Sequence, residues 1–372
     1  MKKILITGAN GFIAKNLIVA LRRIDGVKIY EYTKNDSLSI LKAYIKEVDF
    51  IYHLAGVNRP KNNDEFYTGN YDLTKFIIDI LVESNLKVPI LFSSSMQAIL
   101  DNDYGKSKLQ AEQFLIEYAK KYDGNVFIYR LPNVFGKWSK PNYNSVISTW
   151  CYNIIRDLDI KIDDADRELN LVYVDDVVDA FIQTFLQQDK QKVDKIYCYI
   201  SNIYNKKLGY IANLLYKFKM NRKTLLIPHV GDGFERALYA TYLSYLEVDD
   251  FSYELSGHHD DRGSFYEILK TLDSGQFSIS TTEPGITRGN HYHNTKNEKF
   301  LVVQGKALIE FRHIITNKKI SYEVSDSKME VVEMIPGYTH NIKNIGNNKM
   351  VLLIWVNEVF DKNNPDTFYL EV

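Results

Sequence analysis

Tyr104 and Lys108 are the residues whose type and spacing point most directly to chemistry. Four positions make about one turn of an α-helix, so both side chains would project from one face. An ammonium group beside a phenol favours the phenolate and lowers the pKa of the phenol from about 10. Ser95 ends the apolar run Val88–Ser95, which predicts a buried strand that delivers this hydroxyl beside the tyrosine. The three side chains would then converge, although a Tyr–Lys pair alone also suits an exposed helix face.

A glycine turn near the start of the sequence could hold a dinucleotide. Residues 3–7 are an apolar, β-branched run that ends at Gly8-Ala-Asn-Gly11, after which apolar residues recur at helical spacing. Glycines at such a turn let backbone N–H groups and the helix N-terminus approach a pyrophosphate. Ala14 stands where a third glycine often occurs. Because strands and helices go on alternating, the sequence predicts an α/β Rossmann fold with a doubly wound parallel sheet.

The end of the second predicted strand, Val27–Tyr32, bears on the choice of nicotinamide cofactor. An NAD site commonly offers a carboxylate there to the ribose 2′-hydroxyl. The tip reads Tyr-Thr-Lys, and Glu31 should point to the opposite face of the strand. Since Lys34 suits a 2′-phosphate, the sequence favours NADPH.

The composition predicts an ordinary globular protein with room for two domains. Its 372 residues include 46 basic and 47 acidic side chains, which leave no net field to recruit nucleic acid or an anionic membrane. Two cysteines, Cys151 and Cys198, cannot form a metal quartet. With no signal peptide and no run of about 18 apolar residues, we expect a cytoplasmic protein without membrane insertion.

A second group of chemically active residues follows residue 285. His291 and His293 would lie on one face of a strand, Glu298 returns after a turn, and His340 can meet them from a neighbouring strand. Any one histidine is more often a surface or core residue. Together, three imidazoles and a carboxylate predict a metal site that suits Zn²⁺, with Fe²⁺, Mn²⁺ and Ni²⁺ left open.

Six stretches of the first 243 residues resemble the extended short-chain dehydrogenase/reductase family, which acts mostly on nucleotide sugars. They are Thr7-Gly-Ala-Asn-Gly-Phe-Ile13, His53-Leu-Ala-Gly56, Ser93-Ser-Ser95, Tyr104-x-x-x-Lys108, Arg130-Leu-Pro-Asn-Val-Phe-Gly136 and Val172-Tyr-Val-Asp-Asp-Val177. The resemblance implies Ser95, Tyr104 and Lys108 as the catalytic trio. Only eight residues separate Ser95 from Tyr104, so Ser94 is an alternative. The cofactor-binding residues that follow from the motif and the strand tip are Gly8, Asn10, Gly11, Phe12, Ile13, Lys34, Leu54, Ala55, Tyr104 and Lys108.

The remainder of the chain resembles a cupin. The histidine and glutamate spacing matches the first cupin motif, and Pro336-Gly-Tyr-Thr-His340 matches part of the second. Segments around Arg262 and Arg288 are similar to cupin-type deoxysugar 3,5-epimerases, which work on 4-keto sugars. The predicted domains are therefore 1–243, the reductase, and 247–372, an all-β jelly-roll cupin.

A reductase joined to such a cupin resembles the bifunctional enzymes of capsular polysaccharide synthesis. The resemblance implies C3 epimerisation of a UDP-2-acetamido-2,6-dideoxy-4-hexulose, then NADPH-dependent reduction of its C4 ketone to UDP-2-acetamido-2,6-dideoxy-L-talose. It also implies a homodimer, with Asn133, Arg262 and Arg288 binding the substrate. The base at C3 stays open, with His258 and His259 as candidates. Two alternatives remain: a reductase whose cupin is a structural or dimerisation module, and a nucleotide-sugar sensor without turnover.

Overall fold

The computed structural model describes residues 1–60, 62, 64–187 and 196–372, with only the backbone of Asp64. By contacts, the chain forms two compact units. The first contains Met1–Tyr216 and Asp232–Leu246, and the second contains Lys217–Gly231 and Glu247–Val372.

The first unit alternates strands and helices. Its strands are β1 (Lys2–Thr7), β2 (Val27–Tyr32), β3 (Phe50–His53), β4 (Ile90–Ser95), β5 (Val126–Leu131), β6 (Asn133–Phe135), β7 (Glu168–Tyr173), β8 (Tyr197–Cys198) and β9 (Tyr204–Lys207). Its helices are α1 (Phe12–Leu21), α2 (Leu38–Ile45), α3 (Asp64–Tyr67), α4 (Leu73–Glu83), α5 (Asp103–Tyr122), α6 (Val146–Ile155), α7 (Val174–Gln187), α8 (Leu208–Thr224, whose last turns belong to the second unit) and α9 (Gly233–Leu243). A π-helical turn, Thr68–Asp72, joins α3 to α4, and a 3₁₀ turn, Met96–Ile99, follows β4.

The main sheet of the first unit is parallel, in the order β2-β1-β3-β4-β5-β8. The chain leaves β1 towards β2 and returns to the other side at β3, which makes a switch point where such sheets bind ligands at the carboxyl ends of their strands. A smaller sheet has the order β6-β7-β9. The predicted Rossmann fold is confirmed.

Alternation along β1 explains why helices cover both faces of this sheet. Ile4 and Ile6 pack with Leu17 of α1 in one buried cluster, whereas Leu5 packs with Ile77 of α4 in another. Successive side chains of a strand point to opposite faces, so a run that is apolar at every position needs cover on both sides.

The second unit is built almost entirely of strands. They are β10 (Leu226–Ile227), β11 (Gly257–Asp260), β12 (Gly263–Thr271), β13 (Gln276–Thr282), β14 (Thr287–Tyr292), β15 (Glu298–Gln304), β16 (Lys306–His313), β17 (Lys319–Ser325), β18 (Val331–Met334), β19 (Tyr338–Asn344), β20 (Met350–Val356) and β21 (Phe368–Tyr369). One sheet has the order β10-β12-β13-β20-β15-β18, with β11 beside β12, and the other has the order β17-β16-β19-β14-β21. Inward-facing residues of both sheets form one core, including Phe300, Val302, Ile309 and Ile342. This is the predicted all-β, cupin-like jelly roll.

Segment Lys217–Gly231 belongs to the second unit because Leu226 and Ile227 pair in parallel with Lys270 and Thr271 of β12. The limits 1–243 for the reductase domain and 247–372 for the cupin domain stay a prediction. Among the described residues, no helix combines the length and the apolar character needed to cross a bilayer.

Candidate active site and candidate metal centre

The glycine turn has the geometry of a dinucleotide cradle. Gly8 has a φ of +70°, and a Cβ there would lie 2.7 Å from the Cα of Ala55. The turn closes with the Gly11 N–H donating to the Gly8 carbonyl at 2.8 Å, and α1 begins at the next residue, Phe12, without a side-chain cap. The first N–H groups of α1 therefore lie at the carboxyl edge of the sheet, beside Asn10, an arrangement that could hold a pyrophosphate.

The tip of β2 presents a cation rather than a carboxylate. Lys34 is exposed, and Glu31 forms an ion pair with Arg22 at 3.0 Å. Asp36 also lies near this tip, which the sequence analysis did not predict. Its carboxylate accepts hydrogen bonds from the Thr33 backbone N–H and the Thr33 hydroxyl, both at 2.7 Å. Its oxygens are thus engaged by a local turn.

Tyr104 and Ser95 meet as predicted. Asn102 caps the start of α5 by accepting the Gly105 N–H at 2.8 Å. The tyrosine therefore lies in the first turn, where its phenol is hydrogen-bonded to Ser95 at the end of β4. Burial raises the pKa of Tyr104, and the bond to Ser95 opposes that rise only in part. The expectation that Lys108 lowers this pKa is wrong for this structure, and the phenol holds its proton at neutral pH.

Lys108 lies one turn further along α5 and is buried, with 4% of its surface exposed. Its ammonium donates to the Ser93 carbonyl at 3.0 Å and lies 4.8 Å from the centre of the Phe92 ring. Burial lowers the pKa of Lys108 to about 8, although the charge of Glu112 acts in the opposite direction.

The hydroxyl of the adjacent residue, Ser94, is hydrogen-bonded to a different partner. It donates to the carboxylate of Glu112, which is fully buried and also accepts from the Arg130 guanidinium and the Tyr197 hydroxyl. This geometry favours Ser95 over Ser94 as the hydroxyl beside Tyr104. The sequence analysis did not single out Glu112, although its position four residues after Lys108 places both on one face of α5.

Asn70 is a further residue of this site that the sequence analysis missed. It is fully buried in the π-helical turn, accepts the Val57 N–H at 2.9 Å and donates to the Ser107 hydroxyl at 3.0 Å. A Cβ on Gly56 would lie 2.8 Å from the Asn70 amide oxygen and 3.0 Å from the Lys108 ammonium nitrogen. No helical periodicity announces a π-turn, so sequence pattern gives no signal for it.

His53 of β3 links its own strand to β1 and α4 by side-chain hydrogen bonds. Its ring nitrogens lie 2.8 Å from the Thr7 hydroxyl of β1 and 2.9 Å from the Thr74 hydroxyl of α4. Thr7 also accepts the Ala55 N–H at 3.2 Å, which fixes the Leu54-Ala55 segment beside Gly8. Burial lowers the pKa of His53 to about 3, so the ring is neutral and its role here is structural.

Asn133, a predicted substrate ligand, is exposed on β6. Its amide donates to the Asn170 carbonyl at 3.2 Å, across the small sheet.

In the second unit, the four predicted metal ligands meet. His291, the last residue but one of β14, pairs with His340 of β19; His293 directly follows the end of β14, and Glu298 begins β15. One ligand atom from each residue lies within 4.8 Å of the others. His293 and His340 are 3% and 1% exposed.

The spacing of these atoms fits a cation. Glu298 Oε2 lies 3.4 Å from Nε2 of His340 and 3.7 Å from Nε2 of His293. In the part of the chain that the structure describes, none of the three atoms has a hydrogen-bond partner. Two ligands at about 2.1 Å from one tetrahedral Zn²⁺ are separated by about 3.4 Å. Burial lowers the pKa of His291 to about 4. Burial alone would raise the pKa of Glu298, but His293 and His340 hold it below its ordinary value, so this carboxylate is deprotonated as a metal requires.

Arg288 and Arg262 come together through one carboxylate. The Arg262 guanidinium forms two hydrogen bonds to the Asp260 carboxylate, and Nη2 of Arg288 lies 3.7 Å from the same carboxylate. Arg288 on β14 pairs with Ile342 on β19. Ile342 is two positions after His340, so the side chains of Arg288 and His340 lie on the same face of the sheet. Two buried guanidinium nitrogens of Arg288 have no hydrogen-bond partner among the described residues.

The candidate bases His258 and His259 are both exposed on β11. His259 lies 2.9 Å from the Tyr266 hydroxyl through Nε2.

Residues 4–198 match the model of the NAD dependent epimerase/dehydratase family. The chain belongs to that family. Residues 258–368 match a second model, the polysaccharide biosynthesis C-terminal domain.

Two relatives match this chain over almost the full length of both proteins. The chain is 46% identical to a UDP-2-acetamido-2,6-beta-L-arabino-hexul-4-ose reductase of Pseudomonas aeruginosa, over 100% of this chain and 99% of the relative. It is a homologue of CapF, the capsular polysaccharide assembling protein of Staphylococcus aureus, with 50% identity, a TM-score of 0.92, and 99% and 100% of the two chains covered. A UDP-glucuronic acid 4-epimerase of Bacillus cereus is 18% identical with a TM-score of 0.53, over 58% of this chain and 84% of that one, and shares only the fold.

Proposed function

We propose that the chain is a bifunctional UDP-sugar enzyme. Its second unit inverts C3 of a UDP-2-acetamido-2,6-dideoxy-4-hexulose, and its first unit then reduces the C4 ketone with NADPH to give UDP-2-acetamido-2,6-dideoxy-L-talose for a capsular or other surface polysaccharide. The observation that carries the reductase is the hydrogen bond between Tyr104 and Ser95, with buried Lys108 one turn away. Full-length similarity to a named UDP-sugar reductase supports the substrate class.

In the reduction, the protein supplies the proton and the orientation. NADPH, when bound, supplies a hydride to C4. Tyr104 donates its phenolic proton to the C4 oxygen, and its raised pKa keeps that proton in place at neutral pH. Ser95 orients the carbonyl, and Lys108 holds the nicotinamide ribose. The ketone becomes an alcohol, and the tyrosine is reprotonated from solvent.

NADPH is preferred over NADH in this proposal because the tip of β2 carries Lys34. A 2′-phosphate is recognised by a cation, and the nearby carboxylates of Glu31 and Asp36 are held by Arg22 and Thr33.

The second unit performs the epimerisation. A C4 ketone acidifies the C3 hydrogen, so removing that proton and returning it to the opposite face inverts C3. Positive charge next to the developing enolate oxygen stabilises this step. Arg288 offers two guanidinium nitrogens that have no hydrogen-bond partner among the residues the structure describes, and Arg262 shares Asp260 with it.

A divalent cation, with Zn²⁺ best suited to the donor set, is held in this proposal by His291, His293, Glu298 and His340. It supplies positive charge in the barrel. Four protein ligands complete a tetrahedron, which is typical of a metal that organises its surroundings. The base at C3 is unassigned.

Epimerisation precedes reduction, because reduction removes the ketone that makes C3 acidic. The same ketone therefore serves both units in turn.

The reductase proposal is tested by changing Tyr104→Phe and measuring NADPH oxidation with the 4-keto sugar. Loss of the general acid should lower kcat by about 10²–10⁴-fold. Thermal unfolding should stay at the parent value. Tyr122→Phe, at the exposed end of the same helix, is the matched control and should retain the parent rate. A Tyr104→Phe protein that oxidises NADPH as fast as the parent would refute the assignment.

A further inference from the structure

The segment Pro365–Leu370, here called the strap, contacts the backbone or side chain of two of the four candidate metal ligands. We propose that Asp366 in this strap is a positioning residue that sets the orientation and tautomer of His293 and so determines the affinity of the site for its metal. This inference rests on the proposed metal site and extends it to a residue 73 positions away in sequence.

The contact to His293 passes through the backbone of Asp366. Nδ1 of His293 lies 2.7 Å from the Asp366 carbonyl oxygen. A carbonyl oxygen only accepts, so Nδ1 carries the proton and Nε2 is left with its lone pair. Nε2 is the atom that lies 3.7 Å from the Glu298 carboxylate, inside the ligand cluster. The Asp366 carbonyl therefore selects the tautomer that can bind a metal and fixes the ring plane.

The side chain of Asp366 holds that carbonyl in place. Its carboxylate accepts the backbone N–H groups of Asn294, Thr295 and Lys296 at 3.0, 2.9 and 2.9 Å, and the Thr295 hydroxyl at 3.1 Å. These residues follow His293 directly and lead to Glu298, so the carboxylate also ties down the turn between the two ligands. The φ of Asp366 is +37°, a strained value that persists because these bonds hold it.

The buried Lys296 side chain holds the strap through hydrogen bonds. It is 5% exposed, and its ammonium donates to the Pro365 carbonyl at 2.6 Å and to the Thr367 hydroxyl at 2.8 Å. Burial of a lysine is costly unless its donors are satisfied. The strap residues on both sides of Asp366 are thus fixed by one ammonium group.

The strap also borders a second ligand. Tyr369 pairs with His291 across β21 and β14, and the Leu370 N–H donates to the Asn290 carbonyl at 3.0 Å. Asn290 is the bulge residue of β14 and has a φ of +60°. Strap docking and metal binding therefore act on the same backbone and should favour each other.

The test compares Zn²⁺ binding by the full-length parent, Asp366→Asn and Asp361→Asn. Asparagine keeps the size of aspartate and tolerates positive φ, but it places an NH₂ group where the carboxylate accepts N–H donors. We expect Asp366→Asn to bind Zn²⁺ about 10–100-fold more weakly in competition with a chromogenic chelator, as is typical when an outer hydrogen bond to a metal ligand is lost. Asp361 is an exposed acid four residues before Pro365 that accepts the Asn363 N–H, so Asp361→Asn should match the parent.

Two readouts separate positioning from a general effect on folding. The visible absorption spectrum of the Co²⁺-loaded protein should change in Asp366→Asn, because it reports ligand geometry. The rise in melting temperature on adding Zn²⁺ should shrink, while the metal-free protein unfolds near the parent value. If Asp366→Asn does not fold, Lys296→Met, which leaves the Asp366 carboxylate intact, should show the same loss of Zn²⁺ affinity.

The possible failures can be told apart. Parent-like Zn²⁺ affinity and Co²⁺ spectrum in Asp366→Asn would overturn the positioning role while leaving the metal site standing. A parent protein that binds no Zn²⁺, or that binds it equally well after His340→Ala, would overturn the metal site itself.

Discussion

Ser94 and Ser95 are adjacent, yet their hydroxyl groups have different partners because successive strand residues face opposite sides of the sheet. Ser94 bonds to Glu112 inside the protein, whereas Ser95 bonds to Tyr104 at the sheet edge. The motif spacing alone left the two serines as alternatives. Only the position of α5 relative to β4 distinguishes them, and that is a tertiary property.

At the same scale, Lys34→Ala should reduce the preference for NADPH. A hydrogen bond to a charged group is worth roughly 1.5–3 kcal/mol, so kcat/KM with NADPH should fall about 10- to 100-fold while the NADH value stays the same. Lys46→Ala removes an equivalent exposed charge after α2 and serves as the control. An unchanged ratio of NADPH to NADH activity in Lys34→Ala would place the 2′-phosphate cation elsewhere.

At the scale of elements, periodicity predicted some boundaries and missed others. Strand β2 lies where the sequence pattern placed it, at Val27–Tyr32. The π-helical turn with Asn70 and the small sheet β6-β7-β9 were not foreseen. Both depend on packing between segments far apart in sequence, which leaves no local pattern.

Glu112 links helix α5 to β4 and β5 through its bonds to Ser94 and Arg130, so Glu112→Gln should destabilise the first unit. The change leaves the Arg130 guanidinium without its anion, and breaking a buried ion pair costs about 3–5 kcal/mol. We expect about 3 kcal/mol, because the Arg130 side chain is 29% exposed and retains some water. Urea unfolding followed by the helical circular dichroism signal measures this change, since nearly all helices lie in the first unit among the described residues.

Glu117→Gln, an exposed change on the same helix, is the control and should shift the midpoint little. The double variant Glu112→Gln with Arg130→Met should be less destabilised than the sum of the single changes. A parent-like midpoint for Glu112→Gln would mean that the pair contributes nothing to holding α5.

At the scale of the whole molecule, the two units carry separate sets of reactive groups. The four metal ligands were predicted from sequence because they are clustered within about 50 residues and follow a recognised spacing. The contact between the strap and His293 was not predicted, because it joins residues 73 positions apart in sequence. Segment Lys217–Gly231 likewise joins the second unit through a two-residue strand that no periodicity reveals.

The central claim is that the second unit epimerises C3 by itself, and solvent deuterium at C3 tests it most directly. The UDP-4-keto-6-deoxy sugar is incubated in D₂O with the Tyr104→Phe protein and without NADPH, and the products are analysed by mass spectrometry. In this protein, deuterium should enter C3 at the parent rate. Exchange should stop when His291, His293, Glu298 and His340 are changed to Ala. Exchange should continue when an exposed histidine outside the candidate site is changed, as in the control His229→Ala. Exchange that survives loss of these ligands, or that requires NADPH, would contradict the claim.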